Sequence, residues 1–300
     1  MKNFNYMLGA AFLITLAACG DSKGKYDASG TFEATEVIVS AEGNGKLMQF
    51  EVEEGQKLAA GTEVGYIDTA QLYLNKLQLA ANRKAVQTRR PDIAKQVAAT
   101  REQITATKRE KKRIENLLKL NAANQKQLDD IDSQLLVYEK QLAAQLSSLE
   151  NSSQGVSEES SGVEVQIAQV EDLLRKSHIS SPVSGTVLAK YAEQGEFTTQ
   201  GKPLFKVADL DQVYLRAYIT SDQLTQLKLG QTVQVFSDFG KDGQKQYPGT
   251  ITWISDKAEF TPKTIQTKDE RANLVYAIKV AVKNDGLLKI GMYGELQITK

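Results

Sequence analysis

Cys19 is the residue with the clearest covalent chemistry, because it is the only cysteine in 300 residues and has no partner for an internal disulfide. Lys2 gives a short positive start, Tyr6 to Ala18 is an apolar run, and Leu16-Ala17-Ala18 stands immediately before the cysteine. Polar residues, Gly20-Asp21-Ser22-Lys23, follow it. The apolar run is too short to cross about 30 Å of hydrocarbon as a permanent helix, and small residues before the cysteine suit a signal peptidase. Residues 1–18 therefore read as a lipoprotein signal peptide, with Cys19 lipidated at the head of a linker over residues 19–30. An ordinary secretory signal that happens to end near a cysteine is the alternative. No later segment holds about 18 consecutive apolar residues, so the mature protein is expected to be anchored by lipid rather than inserted.

The remaining candidates for chemistry lead elsewhere. His178 is the only histidine, and no His/Cys/Asp cluster has metal-ligand spacing. No nucleophile motif supports a serine–histidine–acid triad. No glycine-rich phosphate loop follows a strand, and no basic stripe with interleaved aromatics suggests nucleic acid. The 37 basic and 37 acidic residues balance, so no global field recruits nucleic acid or an anionic surface. Asp256-Lys257-Ala258 resembles the tripeptide that bears lipoate, but Lys257 lies far from any turn joining two carrier halves. The reading is of a non-enzyme with no catalytic residue, no cofactor and no metal.

Chemistry being sparse, the interest moves to the elements. Gly45, Gly55 and Gly61 recur as Gly185, Gly195 and Gly201, each 140 residues later. Gly45-Lys46-Leu47 matches Gly185-Thr186-Val187, Glu53-Glu54-Gly55-Gln56 matches Glu193-Gln194-Gly195-Glu196, and Ile67 matches Val207. Both copies read as short strands between glycine turns. Residues 31–68, with a leading strand, and residues 178–209 are thus two half-motifs expected to pack into one small β-sandwich.

Between them, residues 69–177 read as an antiparallel coiled-coil hairpin. Leu128, Leu135, Leu142, Leu149, Val156, Val163 and Val170 hold one heptad frame. The first arm is weaker, with Leu72, Leu79, Val86 and Ile93 in frame, then Ile104, Ile114, Leu117 and Leu118. The chain is expected to reverse near residues 121–125, with Asn124 capping the returning helix. Arms of roughly 50 residues would reach ~75 Å. Pro91 on one arm and Asn151-Ser152-Ser153-Gln154-Gly155 on the other oppose straight helices at nearly the same height. Because both frames keep phase, the expectation is a bend or weak joint; two separate shorter hairpins are the alternative.

Residues 210–300 switch to β. Strands are predicted at Val213–Ile219, Thr232–Phe236, Thr250–Ile254, Leu274–Val282 and Tyr293–Ile298, with a short helix capped by Ser221 or Asp222 and stopping at Gly230. The predicted fold class is α+β: an elongated, multidomain chain with a split lipoyl-like β-sandwich, an inserted coiled-coil hairpin and a β-barrel.

This order of parts resembles the HlyD-like membrane fusion proteins, the periplasmic adaptors. Ile179-Ser180-Ser181-Pro182-Val183-Ser184-Gly185-Thr186-Val187, Glu193-Gln194-Gly195-Glu196 and Gly201-Lys202-Pro203-Leu204 look like the returning lipoyl half of that family. Leu274-Val275-Tyr276 and Leu288-Lys289-Ile290-Gly291-Met292 are similar to its barrel ending. The resemblance implies a homo-oligomer, a hexamer by analogy, coupling an inner-membrane transporter to a TolC-like outer-membrane channel for efflux or secretion. The lack of a recognisable membrane-proximal domain after the barrel favours an ABC-type transporter. The expected location is the periplasm, with the lipid in the inner membrane. The family's channel-docking motif has an Arg-Leu pair, a later Leu and a Ser; Arg113, Ile114, Leu117 and Asn124 hold that spacing, two of them substituted within their chemical class. A coiled-coil envelope scaffold that transports nothing is the competing function.

Overall fold

The computed structural model describes residues 26–238, 243–260 and 274–298. The signal peptide and Cys19 lie outside the described residues.

Hydrophobic alternation with glycine turns produces β2 (Glu36–Ser40), β3 (Gly45–Phe50), β4 (Lys57–Leu58) and β5 (Glu63–Ile67) in the first half. The second half gives β6 (His178–Ser180), β7 (Gly185–Lys190), β8 (Phe197–Thr198) and β9 (Pro203–Ala208). Each half lends its two-residue strand to the other: the sheet orders are β2-β9-β7-β4 and β6-β5-β3-β8. The exchange is reciprocal down to single bonds. Gly55 N–H donates to the Val187 carbonyl at 2.9 Å, and Gly195 N–H donates to the Leu47 carbonyl at 2.8 Å. Both glycines sit at positive φ, 87° and 92°, which lets the turn reach across without a Cβ penalty. Leu47, Ile67, Leu204, Phe205 and Val207 are fully buried between the sheets.

After the sandwich come β10 (Gln212–Thr220), a one-turn helix over Ser221–Leu224, β11 (Thr232–Asp238), β12 (Gln244–Phe260), β13 (Leu274–Lys283) and β14 (Tyr293–Gln297). Among the described residues these close a barrel in the order β1-β10-β13-β12-β11-β14, where β1 is Ala28–Glu33. Three details depart from the sequence reading. Residues 28–33, divided there between a linker and a strand leading into the first half-motif, form one barrel strand. Thr220, not Ser221 or Asp222, caps the short helix, in a capping box with Gln223. That helix ends at Leu224, so Gly230 terminates only the turn that follows. β1 lies flush because Gly30 lacks a side chain: a Cβ there would overlap the Arg216 carbonyl of β10. Phe32 then covers Gly294 from the barrel interior.

Between β5 and β6 the chain forms α1 (Ala70–Thr88), α2 (Ile93–Gln96), α3 (Ala98–Lys119) and α4 (Gln125–Lys176). α1, α2 and α3 ascend, and the 52-residue α4 returns alongside them. The expected bend at matching heights is replaced by an asymmetric arrangement. The ascending arm is broken between Thr88 and Ile93, while α4 passes through Gly155 and Gly162 unbroken. Pro91 offers no N–H and cannot follow a helical turn, and Asp92 instead starts α2 by accepting the Lys95 N–H at 3.1 Å.

Candidate functional site

The long hairpin is the part of the molecule that presents new surface, and its register is fixed by side chains crossing the seam. Lys76 meets Glu171 at 2.8 Å, Arg83 meets Glu164 at 3.4 Å and Arg89 meets Glu159 at 3.0 Å. Beyond the break, Lys108 meets Glu139 at 3.0 Å and Lys111 meets Asp132 at 2.7 Å. Hydrogen bonding and charge from Asp132 raise the Lys111 pKa, and those from Lys76 lower that of Glu171. Two polar contacts flank the break within the seam itself: Gln87 to Ser160 at 3.2 Å and Thr100 to Gln145 at 2.9 Å. Polar groups at such positions specify register at some cost in stability.

The heptad residues of α4 all face the seam, half-buried from Leu128 to Val156 and buried at Val163 and Val170. Their companion row changes step. It runs three residues behind each heptad position at Ile131, Tyr138 and Gln145, then four behind at Ser153, Ser160, Ile167 and Leu174. One extra four-residue step locally unwinds a coiled coil, and it falls beside the break in the opposite arm. On the ascending side Val97, absent from the predicted frame, is fully buried and restarts the seam toward Thr100 and Ile104.

At the tip, α3 ends in paired bonds from Asn121 N–H to the Leu118 carbonyl and from Ala122 N–H to the Leu117 carbonyl, 3.0 and 2.9 Å. Asn121 takes the left-handed conformation, φ 53°, that this C-terminal cap requires. Asn124 then opens α4 with a full capping box, accepting from Gln127 N–H at 3.0 Å while Gln127 accepts from Asn124 N–H at 3.1 Å. The reversal therefore takes the five residues between Lys119 and Gln125 and is capped on both sides.

The four candidate docking residues fall within this distal end but do different things. Arg113 points outward, its side chain 70% exposed, and its guanidinium is held 2.6 Å from Glu110 one turn back. Ile114 and Leu117 are half-buried, so part of their apolar surface is already spent on the hairpin. Asn124 uses its side-chain oxygen as the cap. Sequence reasoning passed over Leu120, which stands at the apex and is 75% exposed. Its signal was available: a leucine on the last helical turn, outside the heptad frame.

The other candidates lie away from this end. His178 Nδ1 sits 2.7 Å from Glu63 Oε1 at the exposed edge of the sandwich. Lys257 lies in a bulge of β12, its N–H donating to Ser255 Oγ at 3.2 Å, well outside the sandwich turns. Among the described residues no group of three or more His, Cys, Asp or Glu could hold a metal ion, and no helix is long and apolar enough to cross a membrane.

Residues 35–210, the sandwich and hairpin together, match the barrel-sandwich hybrid domain of the RND membrane fusion proteins. The chain belongs to that family. As a membrane fusion protein it also shows partial sequence similarity to a UPF0194 membrane protein of Yersinia pseudotuberculosis, 38% identical over 120 residues, 40% of this chain and 36% of that protein. A homologue from Yersinia enterocolitica is 37% identical over the same length. The chain thus spans about a third of these curated relatives (36%). Among solved structures, MacA from Actinobacillus actinomycetemcomitans superposes with a TM-score of 0.56 at 21% identity, covering 90% of this chain and 76% of MacA. The membrane fusion protein Spr0693 from Streptococcus pneumoniae R6 gives 0.53 at 17% identity, covering 91% and 98%. At such identities the likeness is one of fold.

Proposed function

We propose that this membrane fusion protein is a periplasmic adaptor that couples an inner-membrane transporter to a TolC-like outer-membrane channel for efflux or secretion. The observation that carries the reading is the split sandwich with a long hairpin inserted between its halves. Such a build offers a β platform at one end and a capped tip far from it, and no reactive centre is needed to join two partners mechanically. The barrel end would meet the transporter, ABC-type in this reading, and the tip would meet the channel. Six copies are expected around the axis.

At the tip, the outward guanidinium of Arg113 supplies a forked donor for a carbonyl or carboxylate. The remaining apolar surface of Ile114 and Leu117 supplies burial, and the amide group of Asn124 remains to donate. Cys19 would hold the assembly at the inner membrane, since two or three acyl chains exceed the single-chain threshold for stable anchoring.

Crosslinking in intact cells tests the reading. Arg113→Glu should abolish export and channel crosslinks while abundance and circular dichroism stay unchanged; Lys140→Glu, exposed elsewhere on the arm, should be neutral within about 0.5 kcal/mol. Normal export by Arg113→Glu would remove the docking assignment. Cys19→Ala should leave a soluble or uncleaved protein, and a cleaved form that resists a salt wash would remove the anchor.

A further inference from the structure

The two halves of the sandwich clasp each other twice, at positions that correspond in the glycine repeat. In one clasp the Ala60 N–H donates to Ser184 Oγ at 2.9 Å. In the other the Gln200 N–H donates to Asn44 Oδ1 at 2.8 Å. A glycine follows each clasping side chain and pairs with the opposite half, Gly185 with Leu58 and Gly45 with Thr198. Neither glycine can be exchanged. A Cβ on Gly185 would overlap the Ala208 carbonyl, and one on Gly45 would meet Ile67 Cγ2 at 2.8 Å, with φ at +152°.

The clasps differ in chemistry. Ser184 carries a hydroxyl, whereas Asn44 carries an amide, and Asn44 is exposed. It is also the only asparagine in the chain that a glycine follows. Without a Cβ, glycine lets its own nitrogen swing toward the preceding side chain. We propose that Asn44 is a site of spontaneous deamidation through attack by the Gly45 nitrogen. That nitrogen gives up its proton and bonds to Asn44 Cγ, closing a cyclic imide. The Cγ–Nδ2 bond breaks and ammonia leaves. Water then opens the imide at either carbonyl, which leaves aspartate or isoaspartate at position 44. Water is the only other reactant, and nothing is oxidised or reduced.

The fold assists this step. Negative charge develops on Asn44 Oδ1 as Cγ becomes tetrahedral, and the Gln200 N–H already donates to that atom, as an oxyanion donor does. Gly45 must first leave Thr198, which belongs to β8, a strand of only two residues. Thr198 buries a hydroxyl oxygen without a partner, so the pairing is weakened where it has to open. The Ser184 clasp has no amide to lose, and its glycine faces the buried Leu58 instead. Asn151-Ser152 lies inside α4, where the attacking nitrogen is tied into the helix. The two products act differently. Aspartate keeps an oxygen for the Gln200 N–H. Isoaspartate inserts a methylene into the backbone just before β3 and draws Gly45 away from Thr198, so the halves stay clasped only at Ser184.

The test ages the purified full chain at neutral and at mildly alkaline pH. Peptide mapping by mass spectrometry follows conversion at residue 44, and an isoaspartyl methyltransferase reads isoaspartate. A free peptide of residues 42–47 gives the rate without the fold. The folded chain should convert within about tenfold of that peptide, because local opening at β8 is cheap. Conversion should be faster at the higher pH, since the attacking nitrogen must lose its proton. Thr198→Val removes the orphan hydroxyl, steadies β8 and should slow conversion about tenfold. Asn44→Ser copies the other clasp; it should give the parent's circular dichroism and no product. A folded chain still intact at Asn44 when the peptide is fully converted would overturn the assignment. So would conversion that begins only once circular dichroism reports unfolding, or a Thr198→Val rate equal to the parent's.

Discussion

The descending arm carries Asn151-Ser152-Ser153-Gln154-Gly155 and Gly162 yet runs as a single 52-residue helix, whereas the ascending arm, with better helix formers, divides at Pro91. Each poor residue in α4 costs up to about 1 kcal/mol in propensity, and seam packing on both sides of the stretch absorbs that. A missing N–H with a ring clash costs about 3 kcal/mol and cannot be spread over neighbours. Geometry adds a second reason for the division. From Arg89 to Thr100 is eleven residues, and their partners Glu159 and Gln145 are fourteen apart. A continuous helix would rise about 16 Å where its partner rises about 21 Å. The extended link at Arg90–Asp92 makes up the difference, and the step change in the α4 companion row lies opposite it.

The sharpest way to break this comparison is to give α4 the same defect. Gly155→Pro should destabilise the hairpin by about 3 kcal/mol and split α4, read as lost helical ellipticity and a lower melting temperature. A variant melting like the parent would show that the seam, not the backbone, decides continuity. Val97→Ala comes next. It should cost about 2 kcal/mol, because this fully buried side chain restarts the seam after the link. Denaturant unfolding would report it, and a cost under about 0.5 kcal/mol would make the restart incidental.

A smaller effect of opposite sign is expected from Gly155→Ala and Gly162→Ala. Neither added methyl would meet an atom within 4 Å, so each should stabilise by about 1 kcal/mol. The smallest effect should come from Pro91→Ala. Fusing α1 to α3 would pull either Arg89 from Glu159 or Thr100 from Gln145, so the link should persist, with stability changed by less than about 0.5 kcal/mol. Amide exchange at residues 89–92 should remain fast; exchange slowed to the level of α3 would show that proline alone made the gap.

These arms also show where sequence is informative. The 140-residue recurrence of three glycines foretold the sandwich because turn, strand and cross-half hydrogen bond repeat together. It could not foretell Thr198, which occupies the place of Leu58 in the second half and buries a hydroxyl oxygen without a partner. The heptad leucines foretold α4, and Asn124 its cap, since both signals are local. The break is not legible in the heptad leucines because one row of residues keeps phase across a gap in the opposite backbone; Val97 and the shifted companion row mark it. β1 was legible as a strand but not as a barrel member, its partners being residues 214–218 and 293–296. Leu120 at the tip falls outside the docking spacing of Arg113, Ile114, Leu117 and Asn124, and its exposure shows only once the reversal is folded.

β1 has a consequence for the order in which the molecule is made. Its Ser29 pairs with Tyr218 and its Ala28 with Leu296, so the earliest strand of the barrel waits for strands made after both sandwich halves and the whole hairpin. Such non-local pairing is slow to form, whereas the hairpin joins neighbouring segments and needs only short loop closure. Until β14 arrives and closes the barrel, β1 paired only with β10 therefore keeps one edge open to mispairing. Loss of β14 would strip one side of β1 and leave an open barrel beside a finished hairpin.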